Sequence, residues 1–322
     1  MELPLALRAA VDAVLHDIPL SEISKASAVL SARYRAELRD GRMHLSDDLF
    51  ALAYLATRLP ATYAAIHAAL SATTERLPGF APLSQLDAGA GPGSAVWAAR
   101  DIWPDLTKAT LLEGSPAIRA QGAALMNHAG MAGVDWLHAD LLAPLPDLRA
   151  DLVTLTYVLD ELAPEKRAVL VRDLWARTTG LLLVVEPGTP AGWQRILSAR
   201  DVLIAEGAHI AAPCPHVLAC GIAPPDWCHF SRRVARSRLH RQAKNADLPW
   251  EDEKFIYIAA ARAPAIPAQS RVLAPPRTAS GQIRLKLCAP DASVAEHLIT
   301  KRDGPTFKTA RRLDWGDEGP GL

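Results

Sequence analysis

Between residues 81 and 190, five short apolar runs alternate with segments of helix length, and this rhythm limits the fold more than any other feature of the chain. The runs are "LSQLDAGAG", "KATLLEGS", "VDWLHAD", "ADLVTLTYVLDEL" and "GLLLVVEPG". Segments such as "SPAIRAQGAALMNHAG" and "EKRAVLVRDLWARTT" separate them. Strands alternating with helices form βαβ units, which imply a parallel sheet and an α/β fold. Ahead of it, residues 1–80 carry apolar side chains at three- and four-residue spacing, as amphipathic helices require. Ser46, Asp47 and Asp48 form an expected N-cap region, and Pro60 breaks or kinks the helix that follows. Beyond it, "KFIYIAAAR", "SRVLAPP" and "GQIRLKLCAP" read as short strands, and the acidic tail "DWGDEGPGL" is expected to fray.

The loop "LDAGAGPGSAVWAA" ends a strand at Asp87, supplies Gly89, Gly91 and Gly93, and opens a helix near Ser94. Glycines allow a sharp turn and close approach to a ligand, and the helix start behind them presents free N–H groups. On its own the loop is equally a structural turn. Carboxylates follow at the ends of the next strands: Glu113 in "LLEGS" and Asp140 in "LHAD", with Tyr157 and Asp160 after the fourth. Acidic groups at successive strand tips line a ligand crevice at one sheet edge. The arrangement resembles class I S-adenosylmethionine-dependent methyltransferases, which have a Rossmann-like fold. That resemblance implies that Asp87, Gly89, Gly91 and Gly93 run along the methionine part of the cofactor. It implies that Glu113 holds the ribose and Asp140 faces the adenine amino group, with Tyr157 among the cofactor-lining residues. No Asn/Asp-Pro-Pro-aromatic acceptor motif follows the fourth strand, and no cysteine precedes Cys214, so no catalytic residue is assigned. Asp160 and Glu161 either orient a substrate or cap the next helix; Glu186 is open in the same way.

Four cysteines, Cys214, Cys220, Cys228 and Cys288, follow the spacing C-x5-C-x7-C-x59-C. Three fall in an irregular stretch containing Pro and Gly, where side chains can converge. Four thiols suit tetrahedral zinc or an iron–sulfur cluster, and buried free cysteine is the bland alternative. His216 and His229 lie in the same stretch.

The chain has 35 Lys+Arg and 35 Asp+Glu, but they are unevenly placed. Residues 1–228 hold 18 basic against 25 acidic residues, and residues 229–312 hold 17 against 7. A basic block of this size points to an anionic partner, with nucleic acid first. Its densest part holds Arg232, Arg233, Arg236, Arg238, Arg241 and Lys244, and a helix there would align Arg232, Arg236 and His240. Trp227 and Phe230 either stack on unpaired bases or shield the cysteines. A second basic set includes Arg271, Arg277, Arg284 and Lys286. The start of the chain carries Glu2, Asp12 and Asp17, which argues against a signal or an Arg-rich transit peptide. With no apolar run of membrane length, the expectation is a soluble bacterial cytoplasmic protein, monomeric and away from membranes.

The string "CPHVLACGIAPPDWCHFSRRVARSRLHRQAKNADLPWEDEKFIYIAAAR" resembles the signature of the Rsm22 family, methyltransferase-like proteins of the mitochondrial small ribosomal subunit with bacterial relatives. "YLATRLPATYAA", the glycine loop and "RLKLC" fit the same family. The resemblance implies a class I methyltransferase fold with an N-terminal helical region (1–80), a methyltransferase-like domain (81–262) with a cysteine insertion at 210–250, and a basic β-rich extension (263–322). It implies a [4Fe–4S] cluster on Cys214, Cys220, Cys228 and Cys288, with zinc as the alternative, and small-subunit 16S-type rRNA as partner. The expected function is a ribosome assembly factor; the alternatives are an active rRNA methyltransferase or an iron or redox sensor gated by the cluster.

Overall fold

The computed structural model describes residues 1–35 and 47–321, so Ser46 lies outside the described residues. Four helices come first: α1 (Leu5–Val14), α2 (Leu20–Arg35), α3 (Asp48–Thr57) and α4 (Leu59–Thr74). Asp47 caps α3, its side chain accepting from the Phe50 N–H at 3.0 Å. Arg58 leaves helical geometry, and α3 and α4 meet at a 57° bend. Pro60 falls in the first turn of α4, where its missing N–H removes no intrahelical bond.

The alternating region then gives β1 (Ser84–Ala88), α5 (Ser94–Ile102), β2 (Lys108–Leu112), α6 (Pro116–His128), β3 (Val134–Leu137), β4 (Ala150–Thr156), α7 (Pro164–Arg177), β5 (Thr178–Pro187) and α8 (Pro190–Ala205). Next come β6 (His209–Ala212), β7 (Phe230–Ala235), α9 (Arg238–Ala243) and β8 (Trp250–Ala261). The sheet order is β3-β2-β1-β4-β5-β8-β6, with β7 also on β8. The first five of these strands are parallel; β8 runs antiparallel to β5, and β6 and β7 run antiparallel to β8. Leu181 to Val185 of β5 are fully buried, the mark of a strand covered on both faces. Helix α4 packs on α5, β7 and β8, while α7 and α8 pack on β5.

A second sheet contains β9 (Arg271–Val272), β10 (Arg277–Ala279), β11 (Gln282–Cys288) and β12 (Val294–Thr300). Helix α10 (Gly304–Ala310) closes it over a separate apolar cluster of Val272, Ile283, Leu285, Leu287, Ile299 and Phe307. "KFIYIAAAR" therefore belongs to the large sheet and the later runs to the small one. The tail is tied down rather than frayed. Glu318 accepts from Arg76 at 2.7 Å and from the Gln269 N–H at 3.0 Å, and Trp315 packs on the main core. Among the described residues no single helix is long and apolar enough to cross a membrane.

Replacing Leu183 by Ala in the middle of β5 should destabilise the chain by about 2–5 kcal/mol, read as a lower urea midpoint. An unchanged midpoint would show that β5 is not the core strand described here.

Candidate functional site

The three glycines of the β1–α5 loop all have positive φ: Gly89 +67°, Gly91 +55° and Gly93 +84°. Only two are packed in. A Cβ at Gly89 would meet Val158 Cγ2 at 2.5 Å, and one at Gly93 would meet Met126 Cε at 2.4 Å, whereas one at Gly91 would meet nothing within 4 Å. Gly91 thus turns open space toward the sheet edge. Its N–H donates to Glu113 Oε2 at 2.8 Å, and the Ser115 N–H donates to Glu113 Oε1 at 2.7 Å. Each carboxylate oxygen has a second lone pair, so Glu113 can hold the loop and still accept from a ligand. Burial pushes the Glu113 carboxyl up, against these N–H donors.

Asp87 is fully buried. Thr154 donates to its Oδ1 at 2.7 Å, while its Oδ2 is buried without a partner. Burial raises the Asp87 carboxyl to about 7. Asp140 lies on the rim of the same edge, exposed, and accepts from the Leu142 N–H at 2.9 Å. The structure therefore brings Asp87, Gly91 and Glu113 together, with Asp140 farther out.

Tyr157 follows β4 with φ +59°. Its hydroxyl donates to Glu253 Oε1 at 3.1 Å, and Arg58 grips the same carboxylate through two donors at 3.1 and 3.3 Å. This knot joins the α3–α4 bend, the β4 loop and β8. Sequence reasoning missed Arg58 and Glu253. The available signal was a lone arginine inside an otherwise apolar helical stretch, and an acid in a strand-like run. Glu186 at the end of β5 accepts from the Leu159 N–H at 2.9 Å and from Arg195 Nε at 2.6 Å, both within the core. It is a buried anchor for the β4 loop. Neither Asp160 nor Glu161 caps α7: the cap residue is Ala163, with no side-chain cap bond.

The chain leaves β6 at Ala212 and rejoins the same sheet at Phe230. Cys214, Cys220 and Cys228 lie on that excursion, and Cys288 ends β11. All four line one small cavity of about 30 Å³, with His216, Arg200 and Arg271. Cys288 Sγ lies 3.4 Å from His216 Nε2. Gly221 presses on the turn after β11: a Cβ there would lie 1.9 Å from the Ala292 carbonyl oxygen, so only glycine fits. Arg200 and Arg271 are almost fully buried beside the thiols. Arg200 donates to His216 O and Leu218 O, and Arg271 to Pro213 O and Gly316 O, yet Arg200 Nε and Arg271 Nη2 have no partner. Among the described residues no three His, Cys, Asp or Glu side chains are gathered closely enough to hold one metal ion.

The basic segment is not one helix. Arg232 and Arg233 lie on β7, Arg236 follows it, and only Arg238 and Arg241 lie on α9. Pairing with β8 overrides the helical spacing. Arg233 forks onto Asp252 at 2.9 and 3.1 Å, and Arg236 pairs with Glu251 at 3.1 Å. Arg232, Arg238, Arg241 and Lys244 make no ion pair among the described residues. His240 is fully buried, and burial lowers it to about 3. Phe230 is buried against Phe255 and Tyr257, and the Trp227 indole N–H donates to Gly188 O at 3.0 Å while its ring stacks on His229. Phe230 is therefore core. Of the second set, Arg271 is structural, Arg277 pairs with Glu296, and Lys286 pairs with Asp226.

The sheet order, its antiparallel β8, and the glycine loop facing Glu113 define a class I methyltransferase-like protein. The chain belongs to the family described as mitochondrial small ribosomal subunit Rsm22, which matches residues 48–320. It is 28% identical over 326 residues to the human mitochondrial ribosome assembly protein METTL17, covering 95% of this chain and 70% of that protein. It is 23% identical over 359 residues to the mitochondrial Rsm22-cox11 tandem proteins 1 and 2 of Schizosaccharomyces pombe, covering 95% of this chain and 47% of theirs. Similar solved structures include an O-methyltransferase family protein from Burkholderia thailandensis, with TM-score 0.48, 12% identity, and 76% of this chain and 72% of that one covered. Another is the magnesium protoporphyrin IX methyltransferase of Synechocystis, with TM-score 0.43, 13% identity, and coverage of 72% and 90%. The expectation of a bacterial cytoplasmic protein is corrected: the family and these relatives are described as mitochondrial. The acids behind that expectation lie in or beside α1, a folded helix packed on α6, and carry no information about destination.

Asp87 generates a pH test. Its raised value means that the folded chain keeps a proton that the unfolded chain releases near ~3.9. Stability is then present in full below that pH and falls, by an amount on the order of 2–4 kcal/mol, as pH rises toward about 7. Asp87→Asn removes the loss, so its melting temperature relative to the unsubstituted chain should be higher at pH ~8 than at pH ~4. An equal difference at both pH values contradicts a protonated Asp87.

Proposed function

We propose that this chain is a methyltransferase-like ribosome assembly factor that binds small-subunit rRNA, carries S-adenosylmethionine at the β1–α5 loop and holds a [4Fe–4S] cluster on its four cysteines. The alignment of 95% of the chain with a human ribosome assembly protein carries this reading. Three local observations support its parts. Gly91 opens onto free space beside Glu113, and Asp87 offers an orphaned buried oxygen, as a polar ligand at this edge requires. Glu113 would accept from the ribose hydroxyls, and Asp140 on the rim would accept from the adenine amino group. The cofactor, when bound, supplies a methyl group on a sulfonium.

The cysteine cavity suits an anionic inorganic group. Buried guanidiniums with unpartnered N–H groups call for negative charge, which thiolate ligation supplies. The cavity of about 30 Å³ has room for two or three waters, so either inorganic group requires the loop to open around it. A cluster binds each thiolate to a different iron, so its ligands surround a space; zinc draws four sulfurs to ~2.3 Å from one point. Arg232, Arg238, Arg241 and Lys244, which make no ion pair among the described residues, would supply phosphate contacts.

Protein purified without oxygen should contain iron and acid-labile sulfide at about four each per chain and should sediment with immature small subunits. Cys288→Ser should lower the iron content sharply. About one zinc per chain with no iron would sink the cluster assignment. Failure to sediment with small subunits would sink the assembly-factor reading.

A further inference from the structure

A cleft of about 830 Å³ opens at the carboxyl ends of β4 and β5, one strand over from the glycine loop. Its walls include Arg58, Tyr157, Asp160, Thr189, Lys244 and Asn245. The size matches a small-molecule site.

The charges in its wall are unequal. Arg58 is neutralised by its fork onto Glu253, which Tyr157 also holds. Lys244 has no such partner: it makes no ion pair or side-chain hydrogen bond among the described residues, although it is half-buried. Dehydration, and then Arg58, push its ammonium below the usual lysine range. Glu251 and Glu253 act on it only from beyond ion-pair distance, and a half-buried cation that touches no carboxylate among the described residues is stabilised further when an anion joins it.

Lys244 is also the inner end of a series. Ser237 caps α9 by accepting from the His240 N–H at 3.1 Å, and Lys244 is the C-cap. Arg238, Arg241 and Lys244 are three residues apart, so they share one side of the helix. Arg238 is exposed, Arg241 half-buried, and Lys244 lines the cleft. Neither arginine has an ion-pair partner among the described residues, in contrast to Arg233 on β7 and Arg236 just after it. A line of cations without ion-pair contacts among the described residues therefore runs from the surface into a polar cleft, which suits a polyanion that sends one unit inward. Asp160 and Asn245 add an acceptor and an amide that both donates and accepts, the groups that read a base edge.

We propose that the cleft receives one unstacked nucleotide of the bound RNA, with its phosphate on Lys244 and its base against the Asp160 and Asn245 wall. This rests on the RNA-binding reading above.

The test uses the full chain purified without oxygen and two fluorescent RNA probes, a short duplex and the same duplex with one bulged nucleotide. Anisotropy should show the bulged probe bound about tenfold more tightly. Lys244→Gln and Lys244→Met should abolish that preference, Lys244→Arg should keep it, and Arg238→Gln should weaken both probes alike. Thermal melting verifies that each variant is folded. Equal binding of the two probes by the unsubstituted chain, or a preference that survives both neutral variants, overturns the cleft proposal and leaves RNA binding standing. Binding of neither probe overturns the RNA reading together with the proposal.

Discussion

Strand β8 pairs with β5 along one edge and with both β6 and β7 along the other. Ala259 to Ala261 take β6, and Trp250 to Phe255 take β7. These two neighbours are consecutive in the chain, so residues 213–229 must leave the sheet and return to the same edge. The sheet therefore fixes both ends of an irregular loop that has no helix or strand of its own. That loop carries three cysteines to where β11 delivers the fourth. A short cavity-bound group can then tie the two sheets together, because each contributes thiols whose backbones are already held.

Buried charge follows the same layout. Arg58, Glu253 and Tyr157 lock the helical region to β8, and Glu186 with Arg195 locks the β4 loop to α8. Arg200 and Arg271 extend the pattern to the cysteine loop by holding carbonyls on both sides of it. In low dielectric each of these charges needs its partners, so the contacts specify where loops go more than they add stability. The cations that make no ion pair among the described residues remain at the outer face and at the cleft.

Much of this was legible in sequence because it is local. Alternating apolar runs marked β1 to β5, and the glycines with Glu113 marked the sheet edge. Asp47 and Pro60 marked the start of α3 and the bend before α4. The misreadings are non-local. Arg232, Arg236 and His240 have helical spacing, but register with β8 makes the first part of that segment a strand and places Asp252 opposite Arg233. The same pairing buries Phe230 and turns Arg233 and Arg236 into ion-paired residues. Arg271 looked like a phosphate contact and is a core strut, and the tail looked loose until Arg76, far back in the chain, proved to hold Glu318. No local pattern announces a partner that arrives from another part of the chain.

The central proposal is that a metal group on the four cysteines would fasten the 213–229 loop to β11 and, through Arg271, to β9. Hydrogen–deuterium exchange on protein purified without oxygen, before and after iron chelation, tests it directly. Protection should fall together in residues 213–229 and in 271–288 while β1, β4 and β5 stay protected. Unchanged exchange in those two segments after complete loss of iron would contradict it.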